Sequence, residues 1–456
     1  MHEIVPNSQL GLSRGKANDK MGKNARADRE GEMSVKQRIY QDYIKILEEE
    51  LVMAMGCTEP IAVAYAAAAA AKVLGERPQS IAVKISPNII KNVKSVVVPC
   101  TGGMRGIQAA ICAGIVSGKP ERKLELLAGF SKEQKSEVGK LMESIPIQTE
   151  ESDSGYIFDI QVQMAAGEHT AFVQIAGYHT NVICIRKDGH ILEQKEYIEK
   201  QQAYATDRKL LTVENIVNFA DEVRIEEVSE ILRRQIVYNT AIAEEGMKGK
   251  WGAGIGRLLI DAYGESVHNR AKAMAAAGSD ARMNGCELPV IINSGSGNQG
   301  MTASLPVIVY AEELGVSEDM LLRALVVSNL VTIHLKTGIG RLSAYCGAIS
   351  AGCGAGAGIC YLYGGKANEI SHVIVNAIAI NSGVICDGAK ASCAAKIVSA
   401  VEAGLLGLQM QKNGVEFYDG EGLVRKGVEN TIKNVGELAS RGMRETDKVI
   451  IHMMTT

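Results

Sequence analysis

The sequence predicts an α+β protein, in which a large helical domain rich in alanine and glycine accompanies a smaller α+β unit with a mostly antiparallel sheet. Apolar runs typical of strands cluster between about residues 78 and 197, whereas long helical patterns with glycine-rich breaks dominate from about residue 205 onward. Glycine accounts for 48 of the 456 residues, and aromatic residues make up only 4%. This composition favours closely packed backbones over a bulky aromatic core.

These patterns divide the chain into three parts. Residues 1–33 are polar and lack the apolar stretch of a secretory signal, so we expect a disordered or non-native extension, with Met33 as an alternative start. Residues 34–204 are predicted to hold the N-terminal helices and the α+β unit, and residues 205–456 the helical domain. No internal repeat of fixed period is evident.

The N-terminal unit is predicted to begin with two helices. Apolar residues recur at three- and four-residue steps from Lys36 to Met55, and Gly56 ends this pattern. Thr58 is then expected to cap a second, alanine-rich helix that runs to Gly75. The segments that follow are predicted as strands: SIAVKI, SVVV, FDIQVQM, TAFVQIA and NVICI. Helices are predicted between them at Gly106–Ser117 and Lys132–Ser144.

The helical domain is predicted as a series of long helices separated by glycine-rich breaks. Their expected ranges are Glu214–Gly246, Glu265–Ala277, Asp319–Leu335, Ser343–Tyr363, Ala367–Ile380 and Ala389–Gln411. The uncharged stretch Leu342–Gly365 is long enough to span a bilayer, but it consists mostly of glycine, alanine, serine and cysteine. A buried helix in a tightly packed bundle is therefore the better interpretation.

Charge and cysteine usage exclude several classes of protein. The formal net charge is −3, from 49 basic and 52 acidic residues, so neither nucleic acid nor a membrane surface is an expected partner. The chain has ten cysteines and no signal peptide, which indicates a reducing compartment, the cytoplasm. No CxxC pair is present, which excludes the common zinc ribbons, thioredoxin motifs and ferredoxin-type cluster sites.

Three cysteines in the C-terminal third, Cys346, Cys386 and Cys393, stand among small uncharged residues. An Asp-Gly turn signal places Cys386 on a loop and Cys393 early in the next helix, so that both sulfurs can reach one metal centre. Three thiolates can hold an iron–sulfur cluster and leave one iron open. Spacing alone also allows these residues to be small buried hydrophobic groups, as free cysteines usually are. Two further cysteines at seven-residue steps are assigned to packing: Cys353 and Cys360.

Cys57 lies just before the inferred helix cap at Thr58. Unpaired backbone N–H groups and the positive end of a helix lower the pKa of a thiol, which would allow this side chain to accept a proton near neutral pH. A buried structural cysteine at a helix junction is the alternative.

A glycine- and serine-rich segment follows the apolar run 288–293 and contains the pattern G-x-G-x-x-G. A dinucleotide site is disfavoured because Pro306 falls where the next helix should run and because repeated βαβ units are missing. We interpret this segment as a backbone nest for a small anion such as a carboxylate, formed by Ser294, Gly295, Ser296, Gly297 and Asn298. A flexible turn is the alternative.

Basic and imidazole side chains supply further candidates near these motifs. Lys336 and Arg341 precede Cys346 and could bind a substrate carboxylate. His179 and His334 could transfer protons, although a lone histidine is more often structural.

Four segments resemble the L-cysteine desulfidase family, which is itself similar to the alpha subunit of iron–sulfur L-serine dehydratases. They are GCTEPIAVAYAAA, INSGSGNQGMTASLPV, HLKTGIGRLSAYCGAISAGCGAGAG and GVICDGAKASCAAKI. The resemblance covers nearly the whole chain from about residue 36 onward. It implies that the helical domain binds an oxygen-sensitive 4Fe-4S cluster, with Cys346, Cys386 and Cys393 as ligands and Cys57 as the proton acceptor.

The same resemblance implies α,β-elimination of L-cysteine to sulfide, pyruvate and ammonia, with a small amino acid as the only expected partner and homodimer formation left open. Serine dehydratases space their last two ligand cysteines more widely than the seven-residue step found here, which favours the desulfidase. L-serine dehydratase is the first alternative. An NAD-dependent oxidoreductase and a non-catalytic iron–sulfur or thiol sensor are alternatives from other classes.

Overall fold

The computed structural model describes residues 37–197, 206–340 and 342–455. Helices dominate these residues and accompany one mixed sheet and one small antiparallel ladder, which confirms the predicted α+β class. The predicted N-terminal extension, residues 1–33, lies outside the described residues, and so does Arg341.

The helices and strands are numbered in chain order. The helices are α1 at 37–50, α2 Thr58–Leu74, α3 Pro87–Val93, α4 Gly106–Ser117, α5 Lys132–Ser144, α6 Val213–Glu222, α7 Ser229–Met247, α8 Ile255–Tyr263, α9 Val267–Met283, α10 Gly297–Leu314, α11 Glu318–Ile339, α12 Gly347–Leu362, α13 Ala367–Asn381, α14 Cys393–Lys412, α15 Val428–Glu437 and α16 Arg444–Thr455. The strands are β1 Met53–Met55, β2 Ser80–Ile85, β3 Ile147–Glu151, β4 Asp159–Ala166, β5 His169–Ala176, β6 Val182–Lys187, β7 His190–Gln194 and β8 Pro289–Ile291.

Six strands of the N-terminal unit form one sheet in the order β3-β2-β4-β5-β6-β7. Only β2 and β3 are parallel, so the sheet is mostly antiparallel, as predicted. Alternate residues of β4 turn one face inward, including Ile160, Val162 and Met164, because side chains alternate across a strand. The alanine-rich helix α2 and its neighbour α4 belong to the same hydrophobic core as this face.

Two predictions in the N-terminal unit were wrong. The first helix ends at residue 50, and Met53–Met55 instead forms β1, paired with β8 in the register Met53↔Ile291. The segment SVVV is not a strand, since only Val97 makes an isolated bridge, to Arg105. The partner of β1 is distant in sequence, and the bridge partner of Val97 lies outside the apolar run, so a local pattern reveals neither pairing.

The helical domain is built around α12. Every residue of α12 from Ala348 to Leu362 is buried. Its glycines allow backbones to meet: a Cβ on Gly352 would lie 2.2 Å from the Ala400 carbonyl oxygen, and one on Gly356 would lie 2.8 Å from that of Gly404. The uncharged stretch is therefore a buried bundle helix, as predicted.

Two other features of this domain differ from expectation. The single helix predicted over Glu214–Gly246 is divided into α6 and α7 by a short 3₁₀ turn at Ile225–Glu227. The glycine-rich segment opens α10, which continues through Pro306, so proline does not prevent a helix there. However, the preceding strand β8 pairs only with β1 in an antiparallel ladder, and a dinucleotide site requires a parallel βαβ unit.

The hydrophobic side chains form two main cores. One contains the sheet with α2 and α4, and the other contains the helical domain together with α1, whose Tyr43 and Leu47 are fully buried. Within the described residues, α11 and α14 are long and apolar enough to cross a bilayer, but 72% and 50% of their most apolar stretches are buried in the fold. Core helices pass the same test, so these two give no evidence of a membrane span.

Candidate active site

A cavity of about 110 Å³ lies where the N-terminal unit meets the helical domain. The N-terminal unit contributes Cys57, Glu59 and Lys91 to its wall. The helical domain contributes the cysteines that the sequence singled out, namely Cys346, Cys386 and Cys393. Side chains separated by more than 300 positions in the sequence therefore face one space.

Helix N-termini converge on this cavity. Cys57 is the N-cap of α2, Ser296 is the N-cap of α10, Cys346 is the N-cap of α12, and Cys393 is the first residue of α14. The N-terminus of a helix carries a partial positive charge and open N–H groups. The backbone thus makes the cavity favourable for anions and thiolates.

A short backbone pairing brings Cys346 and Cys386 together. Tyr345 and Ile385 form an isolated antiparallel bridge, immediately before the two cysteines. Because opposite residues share a face and successive residues alternate, both cysteines lie on the face opposite to Tyr345, as diagonal neighbours. The cysteine that begins α12 and the loop cysteine are therefore held in a fixed relation by main-chain hydrogen bonds.

The loop before α14 is held by a charged cluster. Asp387 accepts from Lys390 at 2.7 Å and also contacts Lys396, whose Nζ donates to the Ile385 carbonyl at 2.9 Å. Although partial burial raises the pKa of Asp387, these two lysines bring it down to about 2. The Cys393 amide donates to the Lys390 carbonyl at 3.0 Å. The turn predicted from Asp387-Gly388 thus places Cys393 at the start of α14.

The donor set at this site fits an iron–sulfur cluster. Burial and the neighbouring Cys386 raise the pKa of Cys346 to about 12, and burial also raises the pKa of Cys393. A cysteine thiol with a raised pKa becomes a thiolate when a bound metal supplies positive charge. Among the described residues, no three Cys, His, Asp or Glu side chains are arranged to hold a single metal ion. In a cluster each cysteine ligates a different iron, so its sulfurs lie further apart.

Cys57 is nearly fully buried, and the predicted lowering of its pKa was wrong. Burial raises the pKa of Cys57 well above the usual value, the Glu59 carboxylate raises it further, and Arg282 opposes the shift. The effect of loss of water therefore exceeds that of the helix N-terminus. The Cys57 thiol donates a hydrogen bond to Glu59 Oε2 at 3.3 Å. The residue also takes the cap position itself, where Thr58 was expected.

The predicted backbone nest contains a tight turn. Ser294 and Gly295 have φ of +51° and +80°, and Asn293 and Ser296 exchange two main-chain hydrogen bonds of 3.1 Å around them. Positive φ at both central residues is the type I′ geometry. The Ser296 amide is thus used inside the turn, and the open N–H groups are those of the first turn of α10.

The described candidates for carboxylate binding differ in their access to the cavity. Ser296, Asn298 and Lys336 line it, and Lys336 is only 4% exposed. The other nest residues do not line it: Ser294, Gly295 and Gly297. Neither predicted histidine lines it either, since His179 packs against Phe158 and His334 Nε2 lies 2.6 Å from Glu429 Oε2.

Several polar residues of the cavity wall were not identified from the sequence. Among them are Glu59, Lys91, Arg282 and Gln299. Glu59 stands two positions after Cys57, and Gln299 lies within the glycine-rich segment, so proximity to a motif could have found both. Lys91 and Arg282 stand in ordinary helical sequence with no such signal. Lys91 pairs with Asp447 of α16 at 2.6 Å, which ties the C-terminal helix to the cavity wall.

Comparison with known proteins connects the site to a family. Residues 121–452 match the family model described as serine dehydratase alpha chain. A UPF0597 protein of Desulfitobacterium hafniense is 57% identical over 422 residues, covering 92% of this chain and 98% of that protein. UPF0597 proteins of Lachnoclostridium phytofermentans and Fusobacterium nucleatum are 50% and 45% identical, over 91% and 90% of this chain and 100% and 98% of theirs. The three cavity cysteines of the helical domain lie inside the family match, whereas Cys57 precedes it.

Proposed function

This chain belongs to the serine dehydratase alpha chain family, whose members are lyase-type iron–sulfur proteins, and on that premise we propose that it is an L-cysteine desulfidase. The reaction converts L-cysteine and water into sulfide, pyruvate and ammonia by α,β-elimination. The observation that carries the proposal is the meeting of Cys346, Cys386 and Cys393 with Cys57 in one cavity at helix N-termini.

Cys346, Cys386 and Cys393 would hold a 4Fe-4S cluster. When bound, that cluster supplies a Lewis-acidic iron that makes the β-substituent of the substrate a better leaving group. Iron is soft enough to accept sulfur, which suits a thiol substrate. The seven-residue step between Cys386 and Cys393 also supports the desulfidase over the serine enzyme.

Cys57 and Glu59 would remove the α-proton together. The buried thiol is protonated at rest, and its hydrogen bond to Glu59 Oε2 gives that proton a place to go. Transfer to the carboxylate leaves a thiolate at Sγ, which then takes the α-proton of the substrate. Loss of the β-sulfur gives aminoacrylate, which tautomerises to an imine, and the imine hydrolyses to pyruvate and ammonia.

The first turn of α10 would bind the substrate carboxylate, with Ser296 and Asn298 on the cavity wall and Lys336 nearby. The predicted residues Ser294, Gly295 and Gly297 would contribute by shaping the backbone around this turn. Arg341 remains a predicted carboxylate ligand outside the described residues. We further propose a cytoplasmic enzyme that acts on a free amino acid, with homodimer formation as an open question for sedimentation.

Anaerobic purification and cluster reconstitution test the proposal. The wild-type protein should acquire iron and acid-labile sulfide and should release sulfide from L-cysteine. Cys386→Ala should lose both properties, whereas Cys353→Ala, at a buried position of α12 that does not line the cavity, should keep them. Failure of the wild-type protein to acquire iron, or full retention of cluster and activity by Cys386→Ala, would refute the proposal.

L-serine dehydratase is the second candidate, because the matching family model carries that description. The same preparation distinguishes the two activities when ammonia release from L-serine and L-cysteine is compared at equal concentrations. A higher kcat/KM for L-serine would assign the chain to the second candidate.

A further inference from the structure

Arg282 is a buried arginine with an incomplete set of partners. It is the second-last residue of α9, is 3% exposed, and lines the cavity. Its Nη1 donates to Asn298 Oδ1 at 3.2 Å, but its Nε is buried and has no hydrogen-bond partner among the described residues. Buried polar groups in folded proteins are nearly always paired, so an exception at a cavity wall points to a ligand.

The backbone around Arg282 is shaped to admit its guanidinium. A Cβ on Gly297 would lie 2.3 Å from Arg282 Nε, so only glycine leaves room at this position. Gly297 opens α10, and the hydroxyl of the N-cap Ser296 makes no capping hydrogen bond to that helix. The guanidinium therefore lies against an uncapped helix N-terminus. Two positively charged features meet there, so the arrangement favours the binding of an anion.

The protein does not supply that anion. In the described part of the chain, no carboxylate forms an ion pair with Arg282. Glu59 also faces the cavity, but its Oε2 accepts from Cys57 and Thr58, and neither of its carboxylate oxygens forms an ion pair with Arg282. A buried guanidinium without a counter-charge is strongly unfavourable, so a ligand carboxylate would relieve it.

The same cavity holds an unpaired acceptor. Gln299 is 5% exposed, lines the cavity, and has a buried Oε1 without a hydrogen-bond partner among the described residues. A Cβ on Gly347 would meet the Gln299 side chain at 2.7 Å, so this amide is packed against the start of α12. One buried donor and one buried acceptor in one cavity match a zwitterion, with a carboxylate and an ammonium group.

We propose that Arg282 binds the α-carboxylate of the amino-acid substrate, and that Gln299 Oε1 accepts a hydrogen bond from its ammonium group. The identity of the substrate rests on the proposed function. An arginine can grip a carboxylate with two parallel hydrogen bonds, which fixes its orientation as well as its position. Because the α-carbon is bonded to the carboxylate, these two hydrogen bonds hold the α-hydrogen beside Cys57. Amines and amides without a free carboxylate are therefore excluded as substrates.

Binding of L-alanine tests this proposal, since L-alanine has the zwitterion and no leaving group. Calorimetry on the anaerobically reconstituted protein would compare L-alanine with L-alaninamide, which lacks the carboxylate, and propionate, which lacks the ammonium group. Wild-type protein should prefer L-alanine to both. Arg282→Gln should weaken L-alanine binding on the order of 100-fold and remove the preference over L-alaninamide, and Arg282→Lys should retain part of it. Gln299→Leu should remove the preference over propionate.

Arg270→Gln is the matched control, because Arg270 lies on the same helix, is 38% exposed at its side chain, and pairs with Glu313. Its L-alanine affinity should equal that of the wild type. Wild-type affinity in Arg282→Gln, or no binding of L-alanine to wild type, would overturn the inference. If Arg282→Gln binds normally while wild type eliminates sulfide, only this inference fails. If binding depends on Arg282 but no sulfide is released, only the proposed function fails.

Discussion

The two ends of the bundle helices differ in the surroundings that they give to their cysteines. The first turns of α10, α12 and α14, here called the cavity end, carry Ser296, Cys346 and Cys393 into the cavity. The remainder of α12 with its neighbours, here called the bundle body, buries Cys353 and Cys360 at 1% and 2% exposure. The residue type is the same in both regions. Position relative to a helix N-terminus decides whether a cysteine of these helices lines the cavity or is buried in the bundle.

Substitution of one cysteine in each region gives the largest expected difference in activity. Cys346→Ala should reduce sulfide release from L-cysteine more than about 1000-fold, because the metal contribution to the transition state is lost. Cys360→Ala, in the bundle body, should change kcat/KM less than about threefold and lower the free energy of unfolding by about 1 kcal/mol. Steady-state kinetics and iron content check both variants. Equal losses of activity in the two variants would abolish the distinction between the regions.

A glycine exchange tests the bundle body itself. A Cβ on Gly352 would lie 2.2 Å from the Ala400 carbonyl oxygen, so Gly352→Ala must push α12 away from α14. We expect a loss of about 2–3 kcal/mol in the free energy of unfolding. Thermal unfolding followed by circular dichroism measures it.

The matched control for that exchange is Gly139→Ala in α5, where the nearest atom to a new Cβ is Met104 Cε at 3.5 Å. Without a clash, alanine should stabilise the helix by about 0.5–1 kcal/mol. A destabilised control would show that glycine matters for a reason other than close backbone approach.

A substitution in the proposed proton pathway tests the function of the cavity end. Glu59→Gln removes the carboxylate that accepts from the Cys57 thiol, so kcat for L-cysteine should fall roughly 100-fold with little change in KM. Activity should recover in part at alkaline pH, where solvent can take the thiol proton. The pH profile of kcat measures this.

Glu121→Gln is the control for the proton pathway, since Glu121 pairs with Lys72 at the far end of α2 and its side chain is 60% exposed. It should leave the profile unchanged. An unaltered kcat in Glu59→Gln would remove Glu59 from the mechanism.

Local signals in the sequence were sufficient for part of the fold. A helix was predicted near Lys132–Ser144, where α5 lies, and a capping box formed by Ser131 and Gln134 marks its start in the structure. Strand β1 was missed because its partner β8 lies more than 200 residues away, and Met53–Met55 continues a helical apolar pattern. Local sequence therefore carries a signal for the start of a capped helix such as α5, but not for pairings between distant segments.

The candidate site shows the same limit. Cysteines and the glycine-rich segment stand out in any sequence, and residues from both line the cavity. Arg282 and Lys91 lie in ordinary helical sequence, and only the fold brings them to the cavity. The direction of the pKa shift at Cys57 was also wrong, since burial outweighs the helix N-terminus and burial is set by packing of distant segments.

A substitution on the outer face of the bundle body should give the smallest effect, a slight loss of stability. Glu402 on α14 lies 2.9 Å from His268 Nε2 and 2.7 Å from Lys272 Nζ, and hydrogen bonding to His268 and Lys272 lowers its pKa to about 2. A carboxylate with a lowered pKa stabilises the fold above its unfolded-state pKa, and that stability is lost as pH falls from about 4.5 towards 2. Because the side chain is 44% exposed, solvent screening leaves about 0.5–1 kcal/mol. Glu402→Gln should therefore lower the melting temperature slightly at pH 7 and make no difference near pH 2, whereas Glu445→Gln, 80% exposed, should be neutral at both. A Glu402→Gln effect that persists at pH 2 would trace the loss to packing of the side chain rather than to its charge.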